Sequence, residues 1–226
     1  MSRLFPKKGP APLSGPWQRY EAHFRAPLPQ RVSDNVFVVL DTETTGFHFG
    51  KDRMLSLGAL KLEKGRIEVK ESLELYLQQA HYDVQSAKIH GLRKNGPQPR
   101  VPEGEALEEF LDYAKNHVLV GHHVMFDVNM INAALGRNGL PKLRNPTLDT
   151  GLLYKRTLLT TSVLQKKERY SLDDLAEKYG ISRKDRHTAL GDALITAYAF
   201  LRILDKLSPR SLKELMGKQR SPRFGF

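Results

Sequence analysis

Three short stretches carry the residue types from which a hydrolytic site can be built. The first is Asp41-Thr42-Glu43-Thr44-Thr45-Gly46, directly after the apolar run Val36-Phe37-Val38-Val39-Leu40. Strand side chains alternate faces with period two, so Asp41 and Glu43 point the same way. Two like charges delivered to one spot repel, and a divalent cation with oxygen ligands relieves the repulsion. Alone, the pair also fits a solvated strand end followed by a Thr/Gly turn. The second stretch is Gly121-His122-His123-Val124-Met125-Phe126-Asp127, which follows Val118-Leu119-Val120 and opens a helix. Asp127 falls near that helix's N-terminus, where negative charge is favoured. The third is His187-Thr188-Ala189-Leu190-Gly191-Asp192, a histidine ahead of the last long helix and an acid in its first turns. Taken singly, Asp127 and Asp192 also read as ordinary acids near helix starts, and His187 as a surface histidine. Together, four carboxylates at strand ends and helix starts occupy the places where open sheets build sites. They cannot share one pocket without cations. Two divalent ions ~3.5–4 Å apart serve phosphoryl transfer. A histidine titrating near neutrality suits proton removal from an attacking water. The chemistry expected of these parts is hydrolysis of a phosphodiester.

Periodicity indicates the elements that must hold these residues. Val36–Leu40 reads as a strand, Met54–Leu62 as a second, and Glu63-Lys64-Gly65-Arg66 as a turn into a third, Ile67–Leu77. Short links between consecutive strands imply an antiparallel meander. The pattern then becomes helical. Glu103–Asn116 places Leu107, Phe110, Leu111 and Ala114 on one face. Val118–Val120 is a short strand, and Val128–Asn138 a helix stopped near Gly139 and Pro141. A short strand around Thr147–Asp149 precedes a helix to about Leu158. Ser171 caps a further helix, with Asp174 three residues on in a variant of the capping box, and Gly180 ends it. Ala189–Leu207 is the last long helix. The predicted class is α/β: one mixed sheet, an antiparallel three-strand meander plus parallel strands, flanked by helices.

Three segments are expected: a Pro-rich basic N-terminal extension (1–33), the main domain (34–207) and a basic C-terminal tail (208–226). Six prolines in the first 33 residues disfavour helix and sheet there. Trp17, Tyr20 and Phe24 either pin part of that segment to the domain or stack on bases. Beyond Leu207, Ser211–Met216 is the one stretch with helical character. At 226 residues the chain can bury a sizeable core. The absence of cysteine excludes disulfides, thiolate zinc sites and cysteine nucleophiles. No apolar stretch is long enough to span a bilayer, and the N-terminus has no apolar core of a secretory signal. The expectation is a cytoplasmic, nucleoid-associated protein with no membrane partner. The net charge of +11 is concentrated at the ends. Residues 1–33 carry six Lys/Arg against one Glu, and residues 207–226 carry five against one, which leaves +2 for the rest. Basic ends of this kind contact polyanions, nucleic acid above all, or simply keep a protein soluble.

The three stretches resemble, in order, the three motifs of the DEDDh (DnaQ-like) family of 3′–5′ exonucleases, the family of the epsilon proofreading subunit of bacterial DNA polymerase III. Asp41 and Glu43 match the first motif, Asp127 in Gly-His-His-x-x-Phe-Asp the second, and His187 and Asp192 in His-x-Ala-x-x-Asp the third. Ile89-His90-Gly91-Leu92 resembles the His-Gly-hydrophobic element that precedes the second motif. The likeness covers about residues 35–206. It implies a ribonuclease H-like fold and two Mg²⁺ (or Mn²⁺) ions held by Asp41, Glu43, Asp127 and Asp192. Asp41, Glu43 and Asp192 would hold the metal of the attacking water, Asp41 and Asp127 the second metal, and His187 would be the general base. Thr42, Thr44, Thr45 and Gly46 would line the 3′-terminal nucleotide, with His90, Leu92, His123 and Phe126 as further contacts to the strand. Phe126 equally suits core packing. His123 departs from the family pattern, which usually has Asn there. A second metal site made of His122 and His123 is not expected, since adjacent side chains diverge. The implied substrate is a single-stranded or frayed DNA 3′ end, with RNA as the alternative. The implied partner is a DNA polymerase subunit, with a mainly scaffolding role as a further alternative.

Overall fold

The computed structural model describes residues 15–80, 86–87, 90–92, 96–158 and 169–219. Residues 1–14 and 220–226 of the two basic ends, and Ile89, lie outside these. Strands β1 (Val36–Thr44), β2 (Met54–Glu63) and β3 (Arg66–Tyr76) form the antiparallel meander. Lys64 and Gly65, at φ 49° and 74°, make the two-residue turn between β2 and β3. Positive φ at both central residues matches the right-handed twist of the strands it joins. After helix α2 (Glu103–Ala114), strand β4 (Val118–Gly121) returns parallel to β1. After α3 (Met125–Arg137), strand β5 (Thr147–Asp149) lies parallel to β4. The order across the sheet is β3-β2-β1-β4-β5. Helices α4 (Thr150–Thr157), α5 (Leu172–Tyr179), α6 (Ala189–Leu207) and α7 (Leu212–Lys218) follow. The fold is the mixed α/β sheet expected, in the ribonuclease H-like arrangement.

β1 is covered on both faces, which is why it reads as an unbroken apolar run. Val38 and Leu40 face one core, built with Leu107, Phe110 and Leu111 of α2 and Met130, Ile131 and Leu135 of α3. Phe37 and Val39 face the other, built with Leu153 of α4, Leu175 of α5, Phe200 of α6 and Leu215 of α7. Phe37 and Phe200 meet edge to face at 5.2 Å, a geometry worth about 0.5–1.5 kcal/mol beyond area burial. This division of β1 by alternation decides how the site is assembled.

Two expectations are corrected. Helix is not disfavoured throughout the first 33 residues, because Gly15–Ala22 forms α1. Pro16 sits in the first turn, where a missing N–H costs nothing. Trp17 and Tyr20 are 1% and 0% exposed and complete the α2/α3 core. The Tyr20 hydroxyl donates to Asn145 Oδ1 (2.6 Å) and accepts from the Arg144 N–H (2.8 Å). The second correction is at α3, which starts at Met125 rather than Val128. Asp149 makes this possible from outside the helix: its Oδ2 accepts the Val124 N–H (3.1 Å) while its Oδ1 caps α4 at Leu152 N (2.9 Å).

The basic C-terminal segment begins with a packed helix. Ser211 caps α7, and Leu212 and Leu215 are buried. Just beyond it, the Gln219 side chain accepts from Asp149 N (3.1 Å) and donates to Thr147 O (2.7 Å) along the outer edge of β5. Among the described residues, no helix is long and apolar enough to cross a membrane.

Candidate active site

The site forms where β1 ends. Asp41 and Glu43 continue the Phe37/Val39 face and so point toward the start of α6. Thr42 continues the opposite face, toward α3. Asp192, in the first turn of α6, meets the first pair: ligand oxygens of Asp41, Glu43 and Asp192 all lie within 4.8 Å of one another. Asp127, in the first turn of α3, arrives from the other side. Its Oδ1 accepts both the Thr42 N–H (3.0 Å) and the Thr42 hydroxyl (2.7 Å). Asp127 therefore stands beside the triangle of three carboxylates rather than inside it. The strand end is straddled by two helix starts, one on each face.

Glycine makes the close approach possible. Asp41 pairs with Gly58 of β2. A Cβ at Gly58 would fall 2.2 Å from Leu190 N, so the backbone of α6's first turn rests directly on β2. Gly191 has the same role on the helix side, where a Cβ would fall 2.0 Å from Asp185 O. Thr188 caps α6 by accepting Gly191 N (3.1 Å) and donates to Asp185 O (2.9 Å).

The electrostatics are those of acids crowded out of water. Burial, then the charges of Asp127, Asp192 and Glu43, hold Asp41 well above the usual carboxylate range. Burial, then Asp192, raises Glu43 to about 7. Burial also raises Asp127 to about 7 against its bonds from Thr42, and raises Asp192 against its bond from Arg186. The donor set is all carboxylate oxygen and short of positive charge, which fits a hard divalent cation such as Mg²⁺ or Mn²⁺.

His187 is exposed, in the left-handed region at φ 66°, with its N–H 3.4 Å from Asp192 Oδ1. Its neighbour Arg186 was not singled out from the sequence. The Arg186 guanidinium bonds Asp192 Oδ2 through Nη1 and grips both oxygens of Asp173 through Nε (2.9 Å) and Nη2 (3.2 Å).

Several other sequence-predicted residues have their polar groups engaged within the protein. The Thr44 hydroxyl donates to Gly46 O (2.8 Å), and that of Thr45 to Asp52 Oδ1 (2.9 Å). His90 Nδ1 accepts the Leu92 N–H (3.0 Å), and both residues are buried. A Cβ at Gly46 would fall 2.6 Å from the Asp52 carboxylate, which also accepts the His48 N–H (2.8 Å). Asp52 thereby shapes a loop that presents Phe47 and Phe49. Each packs against Phe126 with ring centroids 5.7 Å apart, and Phe47 is 83% exposed. The sequence reading missed these two phenylalanines, although their alternation directly after Gly46 was visible.

Beside the carboxylates opens a groove of ≈ 580 Å³, lined in part by Phe49, His123, Phe126, Leu152, Lys155 and Arg169. His122 is bonded to Tyr170, one of the residues that line it. Nε2 lies 2.9 Å from Tyr170 O, which can only accept, so Nε2 carries the proton, while Nδ1 lies 3.0 Å from the Thr150 hydroxyl. Burial, then the neighbouring His123, lowers His122 to about 4 and keeps it neutral. The two histidine rings do not diverge as expected. His123 adopts φ 61°, which sets the centroids 4.5 Å apart.

A family profile described as "Exonuclease" (RNase_T) matches residues 38–200. The chain is 33% identical over 176 residues to the DNA polymerase III subunit epsilon of Aquifex aeolicus, covering 77% of this chain and 83% of that protein. It is 34% identical over 183 residues to a DNA polymerase III subunit epsilon-like protein of Rhodobacter capsulatus, covering 78% of this chain but 25% of that protein. A PolC-type DNA polymerase III of Thermotoga petrophila is 32% identical over 179 residues, 79% of this chain and 12% of that protein. In fold, the chain is similar to E. coli exonuclease I bound to single-stranded DNA, with a TM-score of 0.65 at 19% identity, over 78% of this chain and 42% of that one. It is also similar to exonuclease X bound to 5′-overhanging duplex DNA, with a TM-score of 0.62 at 17% identity, over 81% of this chain and 99% of that one.

Proposed function

Because the chain belongs to the Exonuclease family, we propose that it is a metal-dependent 3′–5′ exonuclease that hydrolyses the 3′-terminal phosphodiester of DNA and releases nucleoside 5′-monophosphates. The observation that carries this reading is the convergence of Asp41, Glu43 and Asp192 within 4.8 Å, with Asp127 pinned to the same strand end. Asp41, Glu43 and Asp192 would hold one divalent ion, and Asp41 with Asp127 would hold a second. Such ions supply Lewis acidity, activating water and offsetting charge on the phosphate. His187, exposed at the lip of the cluster, takes the proton of the attacking water. Phe47, Phe49 and Phe126 offer faces on which the last bases stack, worth about 1–3 kcal/mol per base. Lys155 and Arg169 carry positive charge along the adjoining groove, where the strand's phosphates would run. Thr42, Thr45 and His90 act mainly by holding Asp127, the Asp52 loop and the Leu92 backbone in place. By likeness to the epsilon relative, whose name makes it a polymerase subunit, the chain serves proofreading or repair at the nucleoid in the cytoplasm. Residues 34–207 form the nuclease domain in this reading, and the basic segments at either end assist contact with the polyanion.

The test is a degradation assay with 5′-labelled single-stranded DNA, mismatched duplex DNA and RNA side by side, with Mg²⁺ or Mn²⁺. A one-nucleotide ladder shortening from the 3′ end is expected, with DNA preferred. Asp41→Ala should abolish it while binding persists, and full turnover in that variant would sink the mechanism. His187→Ala should slow it roughly 10²–10⁴-fold, the usual range for general acid–base catalysis.

A further inference from the structure

Arg186 is the one fixed positive charge drawn into the carboxylate cluster among the described residues. We propose that it is the cluster's resident counter-cation, a positioning residue that competes with a divalent ion for Asp192. This rests on the metal-site reading above. Its guanidinium is only 18% exposed at the side chain and is held at two points. One is the fork to both oxygens of Asp173, at 2.9 and 3.2 Å. Asp173 is itself fixed in the first turn of α5, where the Ser171–Asp174 capping box locks the helix start. The other point is Asp192 Oδ2. Since the His187 N–H lies 3.4 Å from Asp192 Oδ1, both oxygens of that carboxylate are addressed from the Arg186–His187 segment.

A guanidinium cannot deprotonate, and its planar fork matches a carboxylate edge. Without a metal it offsets charge that would otherwise drive Asp41, Glu43 and Asp192 apart. Its field at Asp41 and at Glu43 opposes the carboxylates' mutual repulsion. A divalent ion taking Asp192 would displace Nη1, and the Asp173 fork is the acid on which the displaced guanidinium would then rest. Arg186 thus has two settings, shared between two acids or held by Asp173 alone. The same tether fixes the chain one residue before His187.

Calorimetric titration of Mn²⁺ into the chelator-treated full chain, paired with its melting temperature, tests this. The wild type should bind Mn²⁺, and Asp192→Asn should bind it far more weakly. Arg186→Gln should bind Mn²⁺ roughly tenfold tighter, since a charge-assisted hydrogen bond no longer opposes the ion. Its metal-free melting temperature should fall. Asp173→Asn should move affinity the other way, because the whole guanidinium charge then leans on Asp192. Mn²⁺ affinity unchanged or weaker in folded Arg186→Gln would overturn the proposal. If Arg186→Gln does not fold, unchanged or tighter binding in Asp173→Asn overturns it. Absence of Mn²⁺ binding in the wild type would instead remove the metal-site reading itself.

Discussion

Glu43 and Asp127 are carboxyls held up to about 7 by burial, and Asp41 and Asp192 are raised for the same reason. Unfolded, such groups titrate near 4. Between about pH 4 and pH 7 the metal-free folded chain therefore binds more protons than the unfolded chain, and stability falls as pH rises through that window. Above it the cost of ionising Glu43 and Asp127 in these surroundings is present. A divalent ion requires the ionised forms, so its stabilising effect runs the other way. In chelator the melting temperature should fall from about pH 5 to about pH 8, and the gain on adding Mg²⁺ should grow over the same range. A Mg²⁺ gain independent of pH, measured by scanning fluorimetry, would remove these carboxylates from ion binding. Asp41 and Glu43 were legible as a pair because strand geometry forces residues two apart onto one face. Asp127 and Asp192 were legible from their positions at helix starts. Arg186 was not, since its partners sit in two different helices and no periodicity links residues 173, 186 and 192.

Among the secondary-structure elements, the site is set by a contact no pattern announces: the first turn of α6 lying on β2 at Gly58. An alanine there would thrust Cβ to within 2.2 Å of the Leu190 backbone. Overpacking of this kind costs typically about 1–3 kcal/mol. Gly58→Ala should lower stability by that order in denaturant titration and cut hydrolysis more than stability, because Asp192 moves off Asp41. Retention of full activity would show that the helix can shift without carrying the carboxylate. Most of the strands, the antiparallel meander and the capped α5 were legible from alternation, turn residues and Ser171/Asp174. Helix α1 was not, because proline density argued against it while the burial of Trp17 and Tyr20, a tertiary effect, decided it. The early start of α3 was hidden for a related reason, since its outside cap comes from Asp149, 25 residues further along the chain.

For the whole molecule, the charge of +11 sits mostly near the ends, yet the groove beside the carboxylates carries its own Lys155 and Arg169. If a single strand runs there, replacing both by alanine should weaken binding and flatten its salt dependence by roughly 1.4 in log–log slope, about 0.7 per lost phosphate contact. Fluorescence anisotropy across a salt series reads this directly, and an unaltered slope would route the strand elsewhere. Truncations that probe the N-terminal charge belong before Gly15, since a cut at residue 33 removes two core aromatics along with it. The Gln219 amide on β5 has a separate consequence. An exposed sheet border invites another chain to template onto it, the first step toward domain exchange or fibril growth. At β5 the two backbone groups such an intruder would recruit, Thr147 O and Asp149 N, are already taken by a side chain that mimics a strand. At the opposite border, β3 is lined by Arg66, Glu68, Lys70, Glu71 and Glu74, whose charge resists docking. Among the described residues, one border of the sheet is plugged and the other is guarded, so neither offers a neighbouring strand a free, uncharged ladder.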